Sequence, residues 1–207
     1  MATPVVKQPP TDKVFTWANL LTFVRIGLIP FFAIALVYQH MGLALLLFAI
    51  AGISDGIDGT LARMLKQESE LGTIIDPIAD KLLMTTAFIM VSLPSVMGAG
   101  RHLPVPFWVT ATVIGRDVAI VCVAMAITVM TGFRGFKPSW LGKASTFVQV
   151  VGVLLVLIAA VWPVNSGVYL PTTYVVLAGF AVASGVHYIY HVARLMRAAG
   201  KTAAPAE

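Results

Sequence analysis

Residues Ser54 to Lys81 read S-D-G-I-D-G-T-L-A-R-M-L-K-Q-E-S-E-L-G-T-I-I-D-P-I-A-D-K. Four aspartates, Asp55, Asp58, Asp76 and Asp80, stand within stretches that otherwise have the apolar character of lipid-embedded helix. An ionised carboxylate in hydrocarbon costs at least ~2.5–3.5 kcal/mol, and four in one neighbourhood also repel one another. Divalent cations compensate both costs, because hard oxygen ligands suit Mg²⁺ or Mn²⁺. Asp55 and Asp58 are three residues apart and Asp76 and Asp80 four apart, so each pair shares one helix face. Two antiparallel helices joined by a short segment can present these pairs to each other at similar depth, a geometry suited to two metals.

Working outward, the remaining sequence places this stretch in a membrane. Of 207 residues, 58% are hydrophobic and only 11% charged, and the mean hydropathy is +0.90. Soluble domains carry about 25% charged residues. Six runs are long enough to cross a bilayer, which takes about 20 mostly apolar residues: Asn19–Tyr38, Gly42–Met64, Thr73–Leu93, Val105–Met130, Lys143–Trp162 and Thr172–Met196. The second and third, interrupted by the acids, are the weakest by hydropathy. The expected fold is an all-α integral membrane protein, a six-transmembrane-helix bundle. Residues 1–16 form an N-terminal tail, 17–197 the helical domain and 198–207 a C-terminal tail. The chain shows no internal repeat, low-complexity segment or second domain.

Basic residues orient the bundle. Lys7 and Lys13 precede span one, Arg63 and Lys66 separate spans two and three, and Arg134, Lys137 and Lys143 lie between spans four and five. Arg194, Arg197 and Lys201 follow span six, whereas only Arg101 falls on the opposite side. The positive-inside rule places both termini in the cytoplasm. The net charge of +5 is thus a topology signal with a weak attraction to anionic lipid. Its dispersion over several edges argues against nucleic acid as a partner. The first sixteen residues lack the apolar core and cleavage site of a signal peptide, and Phe15 and Trp17 suit the interface. Cys122 is the single cysteine, excluding an intrachain disulfide, and is expected to be a small packed residue. His187 and His191, an i, i+4 pair beside Tyr188 and Tyr190, are expected to contact lipid headgroups rather than metal.

Small residues flank the acids. Gly56, Gly59, Ala62 and Gly72 remove bulk beside them, leaving room for a ligand against helix backbone; small-residue helix packing is the competing explanation. Arg63 can hold a phosphate or neutralise the cluster, and Lys81 can do the same or snorkel to the interface.

The spacing D-G-x2-A-R-x8-G-x3-D-x3-D, filled by Asp58, Gly59, Ala62, Arg63, Gly72, Asp76 and Asp80, resembles the signature of the CDP-alcohol phosphatidyltransferases. Asp55 stands at the expected upstream acidic position. Asn19-Leu20-Leu21-Thr22 with Arg25, the Arg116-Asp117 pair and Gly142-Lys143-x-x-Thr146 extend the resemblance along most of the chain. It implies transfer of a phosphatidyl group from CDP-diacylglycerol to an alcohol, with release of CMP. By the same resemblance, Asp55, Asp58, Asp76 and Asp80 hold two divalent cations, and Asp80 is the general base. Asn19, Thr22, Gly59, Ala62, Arg63, Ser69 and Gly72 lie at or near the CDP-lipid, and the enzyme is a homodimer. The chemistry is coherent, since a diphosphate enters a low-dielectric site only with its charge neutralised, and phosphorus transfer depends mainly on positioning.

Arg116, Asp117, Lys143 and Thr146 are the candidates for acceptor binding. Charges well inside span four are functional by default, with a structural ion pair to Arg25 or Lys143 as the alternative. The overall pattern resembles the branch of phosphatidylglycerophosphate and cardiolipin synthases, and Leu103-Pro104-Val105-Pro106, Arg116-Asp117-Val118 and His187-Tyr188-Ile189-Tyr190-His191 resemble its cardiolipin synthases. The expected acceptor is sn-glycerol 3-phosphate, with phosphatidylglycerol as the alternative, in a bacterial inner membrane or, alternatively, a mitochondrial one. A cation transporter is the non-enzymatic rival. It predicts charges spread through the membrane depth and helices broken near the midplane, whereas these acids gather on one side.

Overall fold

A computed structural model of the chain describes residues 17–65, 70–98, 103–131, 140–162 and 166–202, with side chains over 20–54, 75–98, 103–129, 140–162 and 166–194. It is all-helical: α1 (Trp17–Val37), α2 (Met41–Leu65), α3 (Glu70–Ser92), the short α4 (Pro94–Met97), α5 (Phe107–Thr131), α6 (Trp140–Val161) and α7 (Ser166–Thr202). Four helices carry described runs apolar and long enough to cross a membrane, namely Leu20–Val37, Phe107–Val129, Trp140–Val161 and Ser166–Arg194, while α2 has the shorter apolar run Met41–Ser54. Phe31, Ile34, Phe107, Val129, Phe147 and Val186 are among many large apolar side chains left on the surface. In water such a surface would aggregate; in lipid it costs nothing, and the chain is a multi-pass membrane protein.

The chain divides into two compact units, residues 1–90 and 91–207. In the first, α1 and α2 are joined by three residues. The amide of His40 donates to the carbonyl of Ala35 (2.8 Å) and that of Gln39 to Leu36 (3.0 Å). Gln39 takes φ 63°, so the reversal is a Schellman cap with glutamine where glycine is usual. The tight reversal packs α1 against α2, with Phe32 and Phe48 ring centroids 5.6 Å apart. Ile29, Phe32 and Leu36 recur at helical spacing on α1, as do Ala44, Phe48 and Ala51 on α2 and Ala79, Leu83 and Ala87 on α3, all buried. Pro77 lies inside α3 between Asp76 and Asp80. Having no N–H, it breaks one rung of the backbone ladder beside both carboxylates.

In the second unit, the hydroxyls of Ser92 and Thr110 hydrogen-bond each other, and the amide of Val105 donates to the carbonyl of Val91 at 3.0 Å. Tyr188 and Val192 of α7 pack with Ile120, Val123, Ala124 and Ile127 of α5. On α6, Gly152 admits Leu177 of α7 so closely that a Cβ there would fall 2.8 Å from Leu177 Cδ2.

Helix limits follow the expected spans to within three residues, except for α7. That helix begins at Ser166 and continues to Thr202, rather than spanning Thr172–Met196. Pro171 sits inside it as the sixth residue, just past the four opening amides that need no intrahelical acceptor, so it removes one backbone rung, the one that would end on the carbonyl of Gly167. At the other end, helix replaces the first residues of the expected C-terminal tail.

Candidate functional site

The first unit carries the acidic motif. Asp55 and Asp58 fall within α2 and Asp76 and Asp80 within α3, so the helical spacing assumed for each pair holds along the backbone. Gly59, Ala62 and Arg63 also lie on α2, Gly72 on α3 and Asn19 on α1. The side chains of Asn19, Asp55, Asp58, Ala62 and Arg63 lie outside the described residues, as does Ser69 altogether.

Asp76 and Asp80 are half-buried, one turn apart. The buried Thr22 hydroxyl of α1 donates a hydrogen bond to Oδ1 of Asp76. That bond bridges 54 residues of sequence and ties the opening of α1 to the acidic face of α3. A carboxylate held by a hydroxyl at one oxygen retains lone pairs for a cation, and such outer partners orient metal ligands. Arg25, three residues after Thr22, is buried at 1% exposure and brings a positive charge to the same side of α1. The pair on α3, all hard oxygen donors, fits Mg²⁺ or Mn²⁺. Sequence reasoning placed Thr22 beside the CDP-lipid; its role as partner of Asp76 depends on a tertiary contact that no local pattern signals.

The second unit carries the acceptor candidates. Nη1 of Arg116 donates to Oδ1 of Asp117 at 2.5 Å, and Nη2 donates to Oγ of Ser184 on α7, also at 2.5 Å. An ion pair therefore forms between the two neighbours. Successive residues do not share a helix face, so the long guanidinium side chain must double back, and Ser184 holds its far edge. Ser184 escaped sequence reasoning; its only signal was a hydroxyl within the small-residue run Ala181–Gly185. Lys143 is exposed on α6, and the Thr146 hydroxyl donates to the carbonyl of Gly142 in its own helix at 3.2 Å. No described contact joins either to Arg116.

Two peripheral expectations also meet the structure. Cys122 is exposed on α5 rather than packed, because a helix facing lipid gains nothing by hiding a small apolar side chain. The rings of His187 and His191 lie nearly parallel with centroids 6.2 Å apart, and no group of three metal-ligating side chains occurs among the described residues.

Comparison with known proteins matches residues 15–189 to the family model described as CDP-alcohol phosphatidyltransferase. A Mycobacterium tuberculosis protein named putative cardiolipin synthase is 34% identical over 170 residues, covering 81% of this chain and 75% of its own length. A probable phosphatidylglycerophosphate synthase of the same organism is 33% identical over 197 residues, covering 91% of this chain and 85% of its own. The human cardiolipin synthase (CMP-forming) is 28% identical over 199 residues, 88% of this chain and 63% of its own.

Proposed function

Because the chain belongs to the CDP-alcohol phosphatidyltransferase family, we propose that it moves the phosphatidyl group of CDP-diacylglycerol to sn-glycerol 3-phosphate. The products are phosphatidylglycerol phosphate and CMP. Enzymes of this family make phospholipids, and the chain is one of them. The complete aspartate signature carries the reading, supported by the fixing of Asp76 through Thr22. The broad match to a probable phosphatidylglycerophosphate synthase, 91% of this chain against 85% of that one, favours glycerol 3-phosphate. Similarity to a putative cardiolipin synthase supports phosphatidylglycerol as the second reading. Both acceptors offer a primary hydroxyl near a phosphate.

Asp55, Asp58, Asp76 and Asp80 would hold two divalent cations, Mg²⁺ or Mn²⁺, which when bound offset the diphosphate charge and polarise its phosphorus. Asn19 and Thr22 would border the CDP-lipid. Gly59, Arg63 and Ser69 would contact the CDP-lipid, and Ala62 and Gly72 would leave room for its nucleotide. Asp80 accepts the proton of the acceptor hydroxyl as the new O–P bond forms. The bond to CMP breaks, and CMP leaves with the electron pair. Arg116, Asp117, Lys143 and Thr146 would serve the acceptor.

We further propose six membrane crossings with both termini cytoplasmic, as the Lys and Arg distribution requires, and a homodimer in a bacterial inner membrane, with a mitochondrial membrane as the alternative. Ala111, Gly115, Ala119, Cys122 and Ala126 form an exposed small-residue stripe on α5 of the kind that lets membrane helices approach closely.

The test supplies purified protein with CDP-diacylglycerol, Mg²⁺ or Mn²⁺, and one acceptor at a time. CMP and phosphatidylglycerol phosphate are expected with glycerol 3-phosphate. Cardiolipin formed only from phosphatidylglycerol would select the second reading. No CMP with any acceptor would refute both and revive cation transport.

A further inference from the structure

The lipid-facing side of α7 changes character near its end. Val176 and Phe180 are exposed apolar side chains, and the exposed Ala183 continues their row. His187, His191 and Arg194 then extend the same face at helical spacing. His187 lies 21 residues after Ser166, about 32 Å along the helix axis, and the hydrocarbon core of a bilayer is ~30 Å thick. The three therefore stand at headgroup level, where Tyr190, 70% exposed, also suits the interface. His187 and Arg194 are exposed and His191 is half-buried. Among the described residues, none of the three makes a hydrogen bond or an ion pair. Tyr188 and Val192, on the neighbouring face, pack against Ile120, Val123, Ala124 and Ile127 of α5, which leaves the three donors to the lipid.

The electrostatics of this face are one-sided. Helix α7 contains no Asp or Glu. On the helices packed beside it, Asp117 of α5 is engaged by Arg116, and Lys143 of α6 is exposed. The His-x3-His spacing could serve a transition metal, but no third ligand joins the pair among the described residues. Arg194, permanently charged and one turn away, repels a cation and attracts an anion. The two rings are parallel to within 6° with centroids 6.2 Å apart, so each can offer an N–H to a shared oxyanion. Helical side chains tilt toward the N-terminus, which leans Arg194 back toward His191. We propose that His187, His191 and Arg194 hold the headgroup of a phospholipid whose phosphate is a terminal monoester. A monoester brings ~1.5–2 negative charges near neutral pH and three acceptor oxygens, matching three donor side chains, whereas a diester has two free oxygens and one charge. The row Val176, Phe180 and Ala183 runs from these donors toward the membrane centre, along the path of the lipid's acyl chains. None of these residues serves the transfer reaction proposed above.

The test measures lipid binding to the purified full chain in uncharged detergent by native mass spectrometry. Phosphatidate, a monoester, is compared with phosphatidylglycerol and phosphatidylcholine, both diesters, carrying the same acyl chains. EDTA is present throughout, so no divalent cation couples a lipid to the aspartates. Wild type is expected to bind phosphatidate at least about tenfold more tightly than phosphatidylcholine, with phosphatidylglycerol between them. Replacing both histidines, His187→Leu with His191→Leu, should lower phosphatidate affinity about tenfold and leave phosphatidylcholine binding unmoved. Arg194→Gln should act in the same direction, while Arg194→Lys, which keeps the charge, should stay near wild type. The Tm of each variant should match wild type, because the altered side chains face outward, and Arg194→Gln serves if the double leucine variant does not fold. Inorganic phosphate at the same concentration should leave the lipid bound; full displacement would make this a site for free phosphate and overturn the lipid assignment. Equal affinity of wild type for phosphatidate and either diester, or an undiminished preference in the leucine and glutamine variants, would overturn the proposal.

Discussion

Asp80 and Thr22 make separable predictions at the scale of single residues. Asp80→Asn removes the proposed base while preserving shape, so CMP release should fall to background with the protein still folded in the membrane; wild-type turnover would exclude Asp80 from that role. Thr22→Val deletes the hydroxyl that holds Asp76 but keeps the branched side-chain volume. Hydrogen bonds to charged groups contribute ~1.5–3 kcal/mol, and outer partners of metal ligands typically shift affinity 10–100-fold. The Mg²⁺ concentration giving half-maximal activity should therefore rise about tenfold or more, with Thr22→Ser near wild type. An unchanged Mg²⁺ requirement in the valine variant would leave Thr22 with no part in the acidic site. The carboxylates themselves were legible in sequence, because charge inside an apolar run is conspicuous by its cost. Thr22 as partner of Asp76 was not, since a threonine in an apolar helix is unremarkable until the fold brings α1 to α3.

Among the elements, two helix junctions carry measurable strain or tightness. Gln39 occupies the left-handed position of the α1–α2 reversal, where a side chain costs ~1–2 kcal/mol. Gln39→Gly should raise stability by ~0.5–1 kcal/mol, seen as a higher Tm in detergent. A Tm unmoved or lowered would count against the Schellman geometry. Gly152 makes the opposite prediction. A methyl there would meet the Leu177 side chain at 2.8–3.0 Å, and Leu177 is itself buried, so Gly152→Ala should lose ~1–3 kcal/mol. Adding Leu177→Val should recover part of the loss, and strictly additive losses in the double variant would show that the two do not touch. The helices were readable because hydropathy is written locally: Gly42–Met64 was expected and Met41–Leu65 is observed. Which face of a helix is hidden was much less readable. In lipid an apolar side chain is comfortable on either side, so Cys122 could lie exposed although its surroundings suggested a packed interior.

At the scale of the whole molecule, α5 leaves Ala111, Gly115, Ala119, Cys122 and Ala126 uncovered. If this stripe joins two copies, oxidation in membranes should crosslink Cys122 between chains, and Gly115→Leu should reduce that crosslink several-fold by forcing the helices apart. Equal crosslinking in the two proteins would move the interface elsewhere. The central claim remains that the acidic pairs of α2 and α3 together hold the cations that let a diphosphate react within a membrane. Titrating Mn²⁺ into purified protein with CDP-diacylglycerol, and counting bound ions by electron paramagnetic resonance, tests it most directly. The account predicts about two ions per chain in wild type, as a paired-metal site requires, and loss of that binding in Asp58→Asn with Asp76→Asn. Undiminished binding in the double variant, or none in wild type, would contradict it.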